Sequence, residues 1–191
     1  MGVKHTQGFT LMELVIGIIV FAVALVLFMS LIVPQAIRSI EPIYQVRATE
    51  LGQSLMSEIF SKSFDEASNR VGESELCSSN IVPLCTTSGN LGPEEGGNNR
   101  ESFDDVDDYH GLSESGGDIK NTLNQSVSLG GANLYEGFSA TVTVVYDDNM
   151  DGIDDAIVGG SGYIGNTKLI TLTITTPSEE AIVFSSFRSN Y

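Results

Sequence analysis

Residues 14–33 read LVIGIIVFAVALVLFMSLIV, twenty positions without a charge. As a helix rising ~1.5 Å per residue, this stretch spans about 30 Å, the thickness of a bilayer's hydrocarbon core. A cleaved secretory leader accounts for it less well. The AVA triplet at Ala22 to Ala24 offers a small-residue cleavage site, but the apolar run continues nine residues past it. Glu13 stands at the mouth of the run. A carboxylate inside the hydrocarbon boundary costs on the order of 2.5–3.5 kcal/mol, so it needs a partner or a route to the interface. Lys4 lies on one side of the run and Arg38 and Arg47 on the other, so charge alone leaves the orientation open.

Beyond Val33 the apolar pattern becomes helical. Ile37, Ile40, Tyr44, Ala48, Leu51, Leu55 and Ile59 recur in steps of three and four and trace one helix face. The opposite face carries Arg38, Glu41, Arg47, Glu50 and Glu58. Pro34 and Pro42 each remove a backbone donor and are candidate kinks. A helix from Phe9 to Ser63 would be about 80 Å long. The C-terminal part alternates as strands do. Phe138, Ala140, Val142, Val144 and Tyr146 share one face, TKLITLTITTP follows from Thr167 with Leu169 or Ile170 opposite threonines, and EAIVFSSF comes last. Pro177, Ser178 and Glu179 suit a tight turn between the last two strands. One long helix on an antiparallel sheet is an α+β arrangement. Residues 65–135 are rich in Gly, Ser, Asn and acids, and irregular structure with few residues to bury is expected there, SGNLGPEEGGNNRES being exposed loop.

The chain of 191 residues carries 9 Lys and Arg against 25 Asp and Glu, a net charge of −16. Such a surface repels phosphate, which argues against nucleic acid and for cations. DDNMDGIDD meets a spacing test for calcium. Asp147, Asn149 and Asp151 occupy the first, third and fifth positions of a calcium loop, Gly152 the turn, Ile153 the backbone-carbonyl position and Asp155 the ninth. Val158 stands where a bidentate Glu belongs, and no helix is expected to follow. A weak calcium site and an acidic turn between strands therefore both remain open. Asp104, Asp105, Asp107 and Asp108 lack that spacing and are expected on solvated surface or at a subunit contact. Cys77 and Cys85 are too few for a zinc site; they form one small disulfide loop in an exported domain or two free thiols in a reducing compartment. An enzyme is not expected. His110 is the sole histidine beyond the leader, and GSGYIG precedes a strand where a pyrophosphate loop would need a helix.

The leader MGVKHTQG followed by FTLMELVIGIIVF resembles the class III signal of type IV pilins and type II secretion pseudopilins. The resemblance implies cleavage after Gly8 by a prepilin peptidase and N-methylation of Phe9. It also implies pairing of Glu13 with the freed amine of Phe9 on an adjacent subunit. RATELGQSLMSEIFSKSFDEAS and ESFDDVDDYHGL are similar to stretches of the MshD minor pilins of mannose-sensitive haemagglutinin (MSHA) systems. The implied organisation is a leader at 1–8, a transmembrane and assembly helix at 9–33, its amphipathic continuation at 34–64 and a globular head at 65–191, together the type IV pilin fold. The implied life history starts in the inner membrane, single-pass with the head in the periplasm, and ends in an extracellular pilus used for surface attachment. Its partners are other pilin subunits, the peptidase, an inner-membrane assembly platform and the lipid bilayer. An exported head favours the Cys77–Cys85 bridge. A type II secretion pseudopilin is the alternative. A single-pass protein with a calcium-binding or sensing head is a third reading.

Overall fold

The computed structural model describes residues 8, 10–38, 40–68, 76–94, 99–121 and 125–191, with the backbone alone at 33–38. Leader residues 1–7 and Phe9 lie outside the described residues, so the expected methylation site does too. The chain divides into two compact units, Met1–Ile43 and Tyr44–Tyr191.

In the first unit α1 covers Leu11–Arg38. Its Leu11–Ile32 portion is 22 residues long, apolar enough to cross a membrane, and wholly unburied. Leu, Ile, Val, Phe and Met point outward around the whole circumference of this portion. An all-round apolar helix needs lipid or another apolar helix about it. Ser30, a polar intruder, donates its hydroxyl to Leu27 O at 2.8 Å and so leaves no unmet donor in the apolar surface. The second helix, α2, covers Glu41–Ser61. Between the two helices Ile40 forms a turn, and Ser39 lies outside the described residues. Pro42 falls at the second position of α2, where a backbone donor has no helical acceptor to lose, so the proline marks a start and not a kink. Pro34 stays inside α1.

The second unit is a four-stranded antiparallel sheet with α2 on one face. Its order is β1 (Ser113–Ser115), β4 (Ser139–Tyr146), β5 (Thr167–Thr175) and β6 (Ala181–Ser189); β2 (Ser128–Leu129) and β3 (Ala132–Asn133) form a separate small hairpin. Val142 pairs with Leu172 and Leu172 with Phe184, which fixes the inward set as Ala140, Val142, Val144 and Tyr146 on β4. On β5 the inward set is Lys168, Ile170, Leu172 and Ile174, which resolves the choice between Leu169 and Ile170. The β5–β6 turn closes with Thr176 N donating to Glu180 O at 2.9 Å, and Glu179 takes φ 64°. Ala48, Leu51, Leu55 and Ile59 of α2 are buried against this face, as the three-and-four spacing requires. Burying such a side chain fully is worth roughly 1.5–3 kcal/mol. Gly52 lets the helix approach closely, because a Cβ there would overlap the ring of Phe184. Ile40 is 47% exposed and stands outside this core, in contrast to the expected stripe.

Residues 65–135 bury more apolar side chains than expected. Phe103, Val106, Tyr109, Leu112, Ile119 and Tyr135 all enter the main core. All but Tyr135, which follows Leu134, lack an apolar neighbour in sequence, so no period marks them. What brings them in is non-local: Gly111 N donates to Val142 O and Val142 N to Leu112 O, and β1 then pairs with β4.

Candidate functional site

The resemblance places its functional residues at the start of α1. Gly8 is exposed, with nothing near its α-carbon that a side chain would meet. Thr10 opens the helix by accepting the backbone N–H of Glu13 at 3.3 Å. Glu13 lies in the first turn, and a carboxylate there is favoured by the helix dipole. It edges a shallow apolar recess lined by Leu14, Gly17, Ile18 and Phe21. Gly17 has no side chain, and that opens the recess one turn beyond Glu13. Glu13 is the only charge between Leu11 and Ile32, and its carboxylate meets no donor among the described residues.

The 147–155 loop is built by its own carboxylates. Asp147 is buried and accepts from Asp151 N at 3.1 Å and Gly152 N at 2.8 Å. Asn149 Oδ1 accepts from Asp151 N, and Asp151 Oδ1 from Ile153 N, both at 2.9 Å. Asp155 Oδ2 accepts from Asp148 N at 2.7 Å. Gly152 adopts φ 85°, which the turn demands and other residues resist. Asp148 was not among the expected residues, yet it fastens the loop: it accepts from Asn166 N, Thr167 N and the Tyr163 hydroxyl. Calcium needs oxygens converging on one point. Asp147, Asp151 and Asp155 do not bring one carboxylate oxygen each within 4.8 Å of one another; among the described residues that test is met only by Asp65 with Cys77 and Cys85. Backbone N–H groups of the loop engage oxygens of Asp147, Asn149 and Asp151. A single-turn α3 (Ala156–Gly159) does follow, where no helix was expected, and Val158 at the twelfth position is 95% exposed.

Cys77 and Cys85 are joined by a disulfide across a Cα–Cα distance of 4.9 Å. Both sulfurs are buried beside Phe64 and Tyr146, while Ile81, Val82 and Leu84 in the loop stay exposed. Asn190 anchors the bridge from the chain's end, donating to Cys77 O at 2.9 Å.

The largest departure from expectation concerns the acidic segment. Asp104 is exposed, but Asp105, Asp107 and Asp108 are completely buried, and so is Asp65. Asp105 Oδ1 accepts from Asp107 N and Asp108 N, and Asp108 Oδ2 from Asp104 N and Asp105 N. The carboxylates thus fold their own backbone into a tight turn. Lys168, also fully buried, reaches them from the inner face of β5. Its Nζ lies 2.6 Å from Asp107 Oδ1, 2.6 Å from Phe64 O and 3.5 Å from Asp65 Oδ2, with the Phe64 ring centroid at 4.3 Å. One ammonium cannot neutralise four carboxylates. Burial, a hydrogen bond with Asp107 and that group's charge push Asp105 up to about 9, against the opposing pull of Lys168. Glu94, an exposed residue, is pushed up to about 7 by partial loss of solvent around its carboxyl and further by its contact with Asp108 and the charge of Asp107. Period two along β5 carries the missed signal: stepping back from Ile174 through Leu172 and Ile170 lands on Lys168.

A second buried charge group ties α2 to the same segment. Glu58, expected on the solvent face, is 11% exposed and pairs with Arg100 Nε at 3.0 Å, while the Tyr109 hydroxyl donates to it at 2.9 Å. Arg100 also pairs with Glu114 at 2.8 Å. No family model, curated protein or solved structure matches the chain.

Proposed function

We propose that this chain is a minor pilin subunit of an MSHA-like type IV pilus, its α+β layout being the type IV pilin fold. In this reading a prepilin peptidase cuts after Gly8 and methylates Phe9. The subunit waits in the inner membrane, anchored by α1 with its head in the periplasm, and an assembly platform then draws it into or beneath a filament that serves surface attachment. The observation that carries the reading is the lone carboxylate of Glu13 on the otherwise uncharged, fully exposed apolar portion Leu11–Ile32 of α1. A membrane anchor alone has no use for that residue, which costs on the order of 2.5–3.5 kcal/mol in hydrocarbon. A neighbouring subunit's new amino terminus offsets the cost and fixes the axial register of the two helices. The disulfide supports an oxidising destination. The recess beside Glu13 leaves room for a neighbour's terminus. Calcium has no part in this reading.

The test is a Glu13→Val variant expressed beside the wild-type filament components. Incorporation is expected to fall to background while membrane insertion persists, since the substitution only makes the helix more apolar. Incorporation at the wild-type level would refute the pairing role.

A further inference from the structure

The buried ammonium, carboxylate and carboxylic acid at Lys168, Asp107 and Asp105 stand in reaction order. Lys168 Nζ is 2.6 Å from Asp107 Oδ1, an oxygen one bond from Cγ. Asp107 Oδ2 and Asp105 Oδ2 are buried without a donor, and Asp107 N donates to Asp105 Oδ1 at 2.8 Å. Two donorless carboxyl oxygens buried two residues apart disfavour ionisation of both groups, and burial together with the charge of Asp107 raises Asp105. Asp65 is the other acid near Lys168, but its oxygens already accept from Ala67 N and Thr86 N, and it sits at 3.5 Å. Asp107 receives no backbone N–H among the described residues. Its carboxyl is held by the two groups that a condensation needs, an amine on one side and an acid on the other. The aromatic rings of Phe64 and Tyr146 close over the amine.

We propose that Lys168 and Asp107 condense into an intramolecular isopeptide bond, with Asp105 as the acid that activates the Asp107 carboxyl. A proton first passes from Lys168 to Asp107, turning the ion pair into neutral amine and carboxylic acid. Full burial favours that exchange, because it removes two charges from a site without water. The Nζ lone pair then attacks Cγ, and a C–N bond forms. Asp105 gives its proton to the departing hydroxyl, the C–O bond breaks and water leaves; Asp105 recovers a proton from the new amide nitrogen. One amine and one carboxylic acid become one amide and one water, nothing is oxidised or reduced, and Asp105 is regenerated. Fixed proximity supplies the main acceleration, and the positioned acid adds roughly 10²–10⁴-fold. The product ties the 104–110 turn to β5 covalently, 61 residues apart in sequence.

The experiment uses the full chain purified in detergent, with its disulfide reduced, and reads intact mass and tryptic peptides. The expected mass is one water below that of the processed sequence. Trypsin should spare Lys168, and the peptide spanning 101–120 should emerge branched onto it. Asp105→Asn keeps an acceptor for Asp107 N and Asp108 N but cannot donate as an acid; it should condense at least tenfold more slowly, and Lys168→Arg should not condense. Folded wild-type protein at full mass, with Lys168 and Asp107 on separate peptides, overturns the proposal. So does a water loss that maps elsewhere, such as a succinimide at Asp151–Gly152. Asp105→Asn condensing at the wild-type rate removes the role of Asp105.

Discussion

Glu13 and Asp107 are both acids in apolar surroundings, and the chain treats them in opposite ways. Around Glu13 the side chains of Leu11–Ile32 point outward, and no donor from the described residues reaches the carboxylate. Around Asp107 four acids, one ammonium and two aromatic rings are packed without exposure. The head resolves its charges internally, whereas the apolar helix carries one that it cannot resolve alone. A charge left unresolved in a greasy segment is a specification for a partner; a charge resolved in a core is a specification for one packed state.

That contrast can be broken from the head first. Lys168→Met leaves the carboxyl groups of Asp65, Asp105, Asp107 and Asp108 without the one fully buried cation among the described residues, and without any amide to Asp107. Loss of about 3–5 kcal/mol is expected in urea denaturation, the usual cost of stranding one side of a buried pair. A change near zero would mean the cluster is not packed as described. The pH dependence comes next. Asp105 is raised from 3.8 to about 9, so the fold favours its protonated form. Its contribution is complete below the unfolded value and is lost as pH rises toward 9, and Glu94, raised to about 7, acts in the same sense. The melting temperature of the head should therefore fall steadily from pH 5 to pH 9. A rise over that window contradicts the buried-acid account.

Smaller effects sharpen the comparison. Tyr109→Phe deletes the hydroxyl that donates to Glu58 at 2.9 Å, and a loss of about 1 kcal/mol is expected, since Arg100 still serves the carboxylate. Glu13→Gln should leave the head's melting curve unchanged while filament incorporation drops. An equal effect on both would erase the distinction between the two acids. Chelation should shift the melting temperature least of all. Backbone N–H groups already engage Asp147 and Asp151, and a clear drop on adding a chelator would show that the loop takes calcium.

The legible parts of the fold were those with a period. Apolar steps of three and four along α2 and of two along β4 and β5 identify the layers and even the β5–β6 turn, because burial of one face imposes those repeats. Phe103, Tyr109 and Tyr135 follow no repeat; they join the core formed with α2 and β4, elements distant in sequence from the segment 103–109. Charge misled for the same reason. Asp105, Asp107 and Asp108 look like solvated surface in a chain of net charge −16, and only Lys168, far along the chain and hidden in a strand pattern, explains how they go inside. At the candidate assembly site the balance reverses. Glu13 stands out in the sequence as a lone acid, and the fold contributes mainly the recess beside Gly17.

The central claim is that this helix is delivered to a filament with a new terminus for Glu13 to meet. Mass spectrometry of the amino-terminal peptide from sheared surface filaments tests it most directly. The expected peptide begins at Phe9 and carries an N-methyl group. Protein that still begins at Met1, confined to the membrane fraction and missing from filaments, would contradict it.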